Sequence, residues 1–218
     1  MKVAALYDIH AMPWALEAVL GELDADTIVI GGDFVYGPYP AETLERVRGL
    51  DAEVVQGNCE STPDDWDREN LTEEQLEWAA SLPLAVELDG VTYCHATPYD
   101  NTPIVTAATP DEAVVETFHG LSGTFVIGHT HHQFDRTIDG LRVVNAGAVG
   151  MPYESEVAAF WTVVEDGEPR HMRTPIDVER AVREIRASGW PTGETFIAEN
   201  LLVAADREQS IAAIESRR

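Results

Sequence analysis

Val3-Ala4-Ala5-Leu6-Tyr7-Asp8-Ile9-His10 runs apolar for five residues and then offers a carboxylate and an imidazole two positions apart. The apolar run reads as a short buried strand, and the residues after it read as the rest of a β/α unit. Pro13 suits the first turn of a helix with Leu16, Val19 and Leu20 on one side and Gly21 near its end. The pattern then repeats. Thr27 to Ile30 is a continuous apolar run suited to a sheet covered on both faces, and Pro40 opens a second helix with Leu44 and Val47 inward. Glu53 to Gln56 is expected as a third strand, ending at Gly57-Asn58.

Beyond residue 70 the pattern changes. Thr72-Glu73-Glu74-Gln75 is a capping box with Leu71 and Leu76 placed for a hydrophobic staple, which predicts a helix over about 73–81, ended by Pro83. A second box, Thr109-Pro110-Asp111-Glu112, predicts a helix toward Phe118. Asp89-Gly90, Asp139-Gly140 and Asp166-Gly167 each join two strand-like runs as tight hairpins, and Leu84, Val86 and Leu88 alternate as in a half-buried strand. Helix returns at Val178 to Ala187 and again up to about Ser216. The expectation is one α/β domain over 1–218 with parallel and antiparallel strands and helices outside, residues 177–218 forming a helical add-on.

Composition narrows the partners. Thirty-nine acidic residues face fourteen basic ones, Lys2 is the only lysine, and the net charge is −25. That balance argues against a basic footprint for long nucleic acid or an anionic membrane. No apolar run approaches the ~20 residues that cross a bilayer, and the N-terminus turns polar too soon for a signal peptide, so a cytoplasmic location is expected. Cys59 and Cys94 are too few for a disulfide framework and read as reduced thiols.

Five short clusters carry the chemistry: Asp8-Ile9-His10, Gly31-Gly32-Asp33, Gly57-Asn58-Cys59-Glu60, Cys94-His95-Ala96 and Gly128-His129-Thr130-His131. Most follow an apolar run, and strand ends are where α/β proteins gather side chains at one sheet edge. Singly, most of them read equally well as caps, turns or core histidines. In this order they supply the imidazole, carboxylate and amide-oxygen donors that hold two divalent cations side by side. Asp8 and His10, i and i+2, would point the same way in extended backbone, and His129 and His131 repeat the spacing.

At this point the chain resembles the calcineurin-like metallophosphoesterase superfamily, in its small prokaryotic phosphodiesterase-like branch, over roughly residues 1–165. The matching elements are Asp8-x-His10, Gly32-Asp33 with Gly37 following, Gly57-Asn58, His95 and Gly128-His129-Thr130-His131, with Asn145-Ala146-Gly147-Ala148-Val149-Gly150 as the glycine-rich segment after them. The resemblance implies two mixed β-sheets packed as a sandwich flanked by helices. It also implies one ion on Asp8, His10 and His131, a second on Asn58, His95 and His129, and Asp33 bridging. Mn²⁺ is the first choice, with Fe, Zn, Ni or Mg open, because mixed N/O ligation does not select among them. Two such cations lower the pKa of a shared water and stabilise charge developing on a phosphoric ester, with no protein base required.

Two departures bear on specificity. Many members place a histidine after the Asn, where it assists the leaving group; here Cys59 stands there, a thiol of reference pKa ~8.5. That favours good leaving groups and phosphodiesters over monoesters, with Asn58 orienting the phosphate. Ala11-Met12 replaces the Gly-Asn frequent in small members. His132 extends the histidine run as a substrate contact or a supporting residue. The alternatives are a phosphomonoesterase or (di)nucleotide hydrolase, or a non-catalytic metal-binding scaffold for protein partners, and a homo-oligomer is compatible with all of them.

Overall fold

The computed structural model describes residues 1–218. Ten strands form two mixed five-stranded sheets. The first contains β1 (Lys2–Leu6), β2 (Thr27–Ile30), β3 (Ala52–Val54), β9 (Ala158–Glu165) and β10 (Glu168–Pro175), in the order β10-β9-β1-β2-β3. The second contains β4 (Ala85–Leu88), β5 (Val91–Cys94), β6 (Gly123–Ile127), β7 (Phe134–Ile138) and β8 (Leu141–Asn145), in the order β4-β5-β6-β8-β7. β1, β2 and β3 run parallel, as do β5, β6 and β8; β9 pairs antiparallel with β1, Lys2 facing Glu165.

Alternation along β1 shows how the layers stack. Val3, Ala5 and Tyr7 join Val29, Val91, Tyr93, Val126 and Val164 in a small core between the sheets. Ala4 and Leu6 point the other way, into the largest cluster, under the helices α1 (Pro13–Glu22) and α2 (Pro40–Arg48). A third cluster lies outside the second sheet, where Val114 and Phe118 meet Phe125 and Leu141. The result is the expected sandwich of two mixed sheets with helices on both outer faces.

The remaining helices are α3 (Asn58–Ser61), α4 (Asp65–Asn70), α5 (Glu73–Ala80), α6 (Asp111–Thr117), α7 (Val178–Ser188), α8 (Gly193–Phe196), a π-helical turn at Ile197–Leu201 and α9 (Arg207–Glu215). No helix is long and apolar enough to cross a membrane. The tail after β10 packs inward: Ala181, Ile185, Trp190, Phe196 and Leu201 belong to the largest core cluster. α9 is fastened to the rest by Arg207 on Glu154 at 2.9 Å and by Glu215, which accepts from Thr106 and Thr109.

Three local expectations are corrected. The third strand is Ala52–Val54, because Gln56 leaves the sheet and donates from Nε2 to the α5 carbonyls of Ala79 and Ala80. The box at Thr109 does not form, since Pro110 is the N-cap and the Thr109 hydroxyl is taken by the Thr106 amide and Glu215. Nor is the backbone extended at Asp8 and His10, where φ is 53° and 49°. The box at Thr72 does form, with Gln75 N donating to Thr72 Oγ1. The three hairpin aspartates also have φ near 50° and their glycines φ of 76–83°, as a type I′ turn requires.

Candidate metal centre

The parallel strands β1, β2, β3, β5 and β6 all deliver their C-terminal ends to one edge of the sandwich, and the five clusters sit in the loops that follow them. The first two loops continue the pairing of β1 with β2: Asp8 N donates to Gly32 O at 3.1 Å, His10 N to Asp33 O at 2.9 Å, and Ala11 N to Phe34 O at 3.0 Å. Gly32, at φ 91°, has no room for a Cβ, which would lie 2.5 Å from Gly57 N. Outside the hairpins, every non-glycine residue at positive φ belongs to these loops or their immediate continuation: Asp8, His10, Ala11, Asp33, Tyr36, His129 and His131. Each such residue costs about 1–3 kcal/mol, and the surrounding hydrogen bonds hold it there.

The side chains converge in three overlapping groups whose candidate ligand atoms lie within 4.8 Å of one another: Asp8, His10 and His131; Asp33, His95 and His129; and His10, Asp33 and Cys59. The last group shares His10 with the first and Asp33 with the second, and so joins them. Asn58 Oδ1 stands 3.1 Å from His95 Nε2, at the edge of the second. The structure therefore brings together all seven residues expected as ligands.

Each imidazole is fixed by one ring nitrogen. Nδ1–H of His10, His95 and His131 donates to the carbonyls of Tyr36 (3.3 Å), Gly31 (2.9 Å) and Met151 (2.7 Å), and Nε2–H of His129 donates to Thr102 O (3.1 Å). That leaves Nε2 of the first three and Nδ1 of His129 turned inward, where each can take a cation in place of a proton. His10 Nε2 and His131 Nε2 face each other at 3.1 Å, an arrangement that repels unless a cation or proton lies between them. Asp8 Oδ2 accepts from His129 N, whereas Asp8 Oδ1 is buried with no donor. A buried carboxylate oxygen without a donor, beside opposed imidazole lone pairs, fits a divalent ion of N/O preference.

Burial and charge compete among these groups. Burial works to raise Asp8 and Asp33, but His131 opposite the first and His95 opposite the second hold both below the ordinary carboxylate range. Conversely, burial would lower His95, and the Asp33 carboxylate 3.4 Å away overcomes it and lifts the ring to about 10. His10 and His129 are pushed down to about 4, by burial first and by a facing imidazole second. Cation uptake at such a cluster displaces protons.

Two expected site residues prove different in character. Cys59 is 9% exposed, and burial followed by the Asp33 charge pushes its thiol well above the usual range. Its amide donates to Asp33 Oδ1 at 2.8 Å, so its clearest role here is to position Asp33. His132, read as a substrate contact or a supporting residue, is fully buried: Nδ1–H donates to Thr130 O and the ring packs on Phe134, which fits the supporting role. The neighbouring His131 is ring-stacked on Tyr153 instead, at 4.8 Å and 17°.

Glu60 and Asp67 are supporting residues that sequence reasoning passed over. Glu60 is 2% exposed and accepts from four backbone amides, those of Asp33 (2.8 Å), Phe34 (2.9 Å), Val35 (3.2 Å) and Gly57 (2.8 Å), tying the Asp33 loop to the Asn58 loop. Its spacing from Gly57, the N-cap of α3, is that of a capping box, the one trace it leaves in the sequence. Asp67 is fully buried, accepts from Tyr36 N at 3.0 Å, and keeps Oδ2 without a donor.

Burial, then the Asp64 charge, push Asp67 up to about 7. A folded-state pKa above the unfolded one means that the native state binds the proton first. The associated stability is fully present below about pH 4 and is lost as pH rises through 7. Asp67→Asn is therefore expected to gain stability relative to wild type by on the order of 3 kcal/mol between pH 4 and pH 8. Urea unfolding of both proteins across that range checks this, and a pH-independent difference would count against it.

A family model described as the calcineurin-like phosphoesterase superfamily domain matches residues 1–166. Among solved structures, a metallophosphoesterase from Sphaerobacter thermophilus superposes with a TM-score of 0.77 at 24% identity, covering 94% of this chain and 99% of that one. A hypothetical protein from Pyrococcus horikoshii OT3 gives a TM-score of 0.75 at 17% identity, covering 90% and 97%. An archaeal phosphodiesterase gives 0.50 at 18% identity, covering 79% and 99%. At these identities the superpositions speak for the fold. No curated protein matches the chain in sequence. The matched stretch holds every one of the converging loops, and on that match the chain belongs to the calcineurin-like phosphoesterase superfamily.

Proposed function

We propose that the chain is a hydrolase of small phosphoric esters, phosphodiesters ahead of monoesters, that uses two divalent cations. Asp8, His10 and His131 would hold one, Asn58, His95 and His129 the other, and Asp33 both. The observation that carries this reading is the pair of ligand groups, Asp8/His10/His131 and Asp33/His95/His129, joined through the His10–Asp33 contact, each imidazole presenting one ring nitrogen inward. Bound there, the cations supply water activation and stabilisation of charge at phosphorus.

The chain's own residues do the rest. Backbone carbonyls orient the four rings, Glu60 and the Cys59 amide fix Asp33, and the Asn58 side chain, partly exposed at the edge of the cluster, is placed to orient a phosphate oxygen. Cys59 bears on the choice of leaving group. A thiol held well above its usual pKa is a poor proton donor, which favours esters whose alcohol leaves without one. A net charge of −25 with one lysine disfavours long nucleic acid.

Metal-stripped protein is expected to be inactive on bis(p-nitrophenyl) phosphate and to regain turnover with Mn²⁺, with kcat/KM at least about tenfold above that for p-nitrophenyl phosphate. Bound metal with no turnover of either ester would favour a non-catalytic scaffold. A monoester preference would overturn the order of diesters over monoesters.

A further inference from the structure

Two cavities, of about 320 and 210 Å³, adjoin beside the metal centre and share Tyr153, Glu199 and Asn200 in their walls. Their outer walls come from residues 190–217, beyond the stretch that the family model matches. Taken together their size falls in the ~300–1,000 Å³ range of small-molecule sites.

The smaller cavity lies one layer of side chains from the centre. Three of its wall residues touch the ring of a candidate ligand: Tyr36 meets His10 edge-on at 5.7 Å, Tyr153 stacks on His131, and the Met151 carbonyl accepts from His131 Nδ1. A phosphoester whose phosphorus lies at the cluster has this groove beyond Tyr36 and Tyr153, within reach of a substituent longer than a methyl group.

The lining is selective. Aromatic surface comes from Tyr36, Tyr153 and Trp190, the last edge-on to Tyr36 at 6.3 Å. Thr192, Thr195 and Asn200 add neutral hydrogen-bonding groups and Glu199 a carboxylate, and no lysine or arginine lines the smaller cavity. In the larger one, Arg217 is accompanied by Asp206 and Glu199. A second phosphate would meet net negative charge, and a plain alkyl chain would strand the polar groups. A flat heteroaromatic ring bearing hydroxyls satisfies both surfaces.

We propose that this groove, built by the C-terminal segment, binds a nucleoside-like substituent of the phosphodiester, with Asn200 and Glu199 hydrogen-bonding its sugar or base. The assignment rests on the hydrolase reading above. In the reaction, water adds to phosphorus and the P–O bond to the other alcohol breaks, that alcohol leaving with the proton balance made up by solvent.

Thymidine 5′-(p-nitrophenyl) phosphate and methyl p-nitrophenyl phosphate release the same nitrophenolate and differ in the retained substituent. With Mn²⁺-loaded protein, kcat/KM is expected to favour the thymidine ester by at least about tenfold, and Asn200→Ala and Glu199→Gln to reduce that ratio several-fold, mainly through KM. A wild-type ratio near one, or a ratio unmoved in both variants, overturns the proposal. If neither ester is hydrolysed, the hydrolase reading fails first, and calorimetry with free thymidine decides the groove. Saturable binding weakened by Asn200→Ala supports the nucleoside site; no binding, or binding unaffected by Asn200→Ala, overturns it.

Discussion

Asp33→Asn is expected to lower kcat/KM on an aryl phosphodiester by about 10³-fold or more while leaving the fold intact. Asp33 is the carboxylate that stands between the two ligand groups, with Oδ2 at 3.4 Å from His95 in one and 4.0 Å from His10 in the other. Its other oxygen is occupied by the Cys59 amide. An amide in its place is nearly isosteric, keeps one acceptor oxygen and removes the charge that balances two cations. The loss is therefore expected in kcat and in metal stoichiometry together, the second measured by elemental analysis after dialysis. His131→Ala removes a ligand from one group alone and is expected to weaken one of the two ions selectively. Near-normal turnover in both variants would sink the two-metal assignment.

Glu60→Ala is expected to cost about 4 kcal/mol of stability, because four buried backbone N–H groups lose their acceptor at once. In a domain of this size that lowers Tm by about 10 °C. Burial and the Asp33 charge push the Glu60 carboxyl up to about 7, yet the four donors favour its ionised form, so charge and geometry are both at stake. Glu60→Gln separates them. Its single oxygen can keep the Phe34 and Val35 amides that Oε1 now serves, while its NH₂ faces those of Asp33 and Gly57. An intermediate Tm, with activity as low as in Glu60→Ala, is the expected pattern. Comparison without added metal is required, since bound ions would mask the loss. A Glu60→Ala Tm within 2–3 °C of wild type would show that water replaces the carboxylate at little cost.

Much of this architecture was readable from period and turn chemistry. β1, β2, the Pro13 and Pro40 helices, the Thr72 box and the three Asp-Gly hairpins depend on neighbours within a few residues, and they stand as read. What failed was decided from far along the chain. Thr109 is drawn off its box by Glu215, 106 residues away. The left-handed backbone at Asp8 and His10 is imposed by pairing with Gly32 and Asp33 and with the Gly150 amide, against the intrinsic preference of either residue. The candidate ligands were legible because chemistry dictates residue type. The residues that aim them were not, because a backbone carbonyl, as at Tyr36, Gly31, Thr102 or Met151, is supplied by any residue.

β1 sits between β2 and β9, and Lys2 faces Glu165. β1 thus leaves the ribosome long before β9, the partner that completes it. Until residue 165 has emerged, β1 has an open edge, and its two apolar faces have only part of their cover. The loop carrying Asp8 and His10 is also held by the Gly150 amide, so the centre cannot set from an N-terminal fragment alone. Such long-range pairing slows folding and leaves a long window in which β1 is open to the wrong partner. Yield of soluble protein should accordingly respond to translation speed and chaperone supply more than to changes in the surface helices.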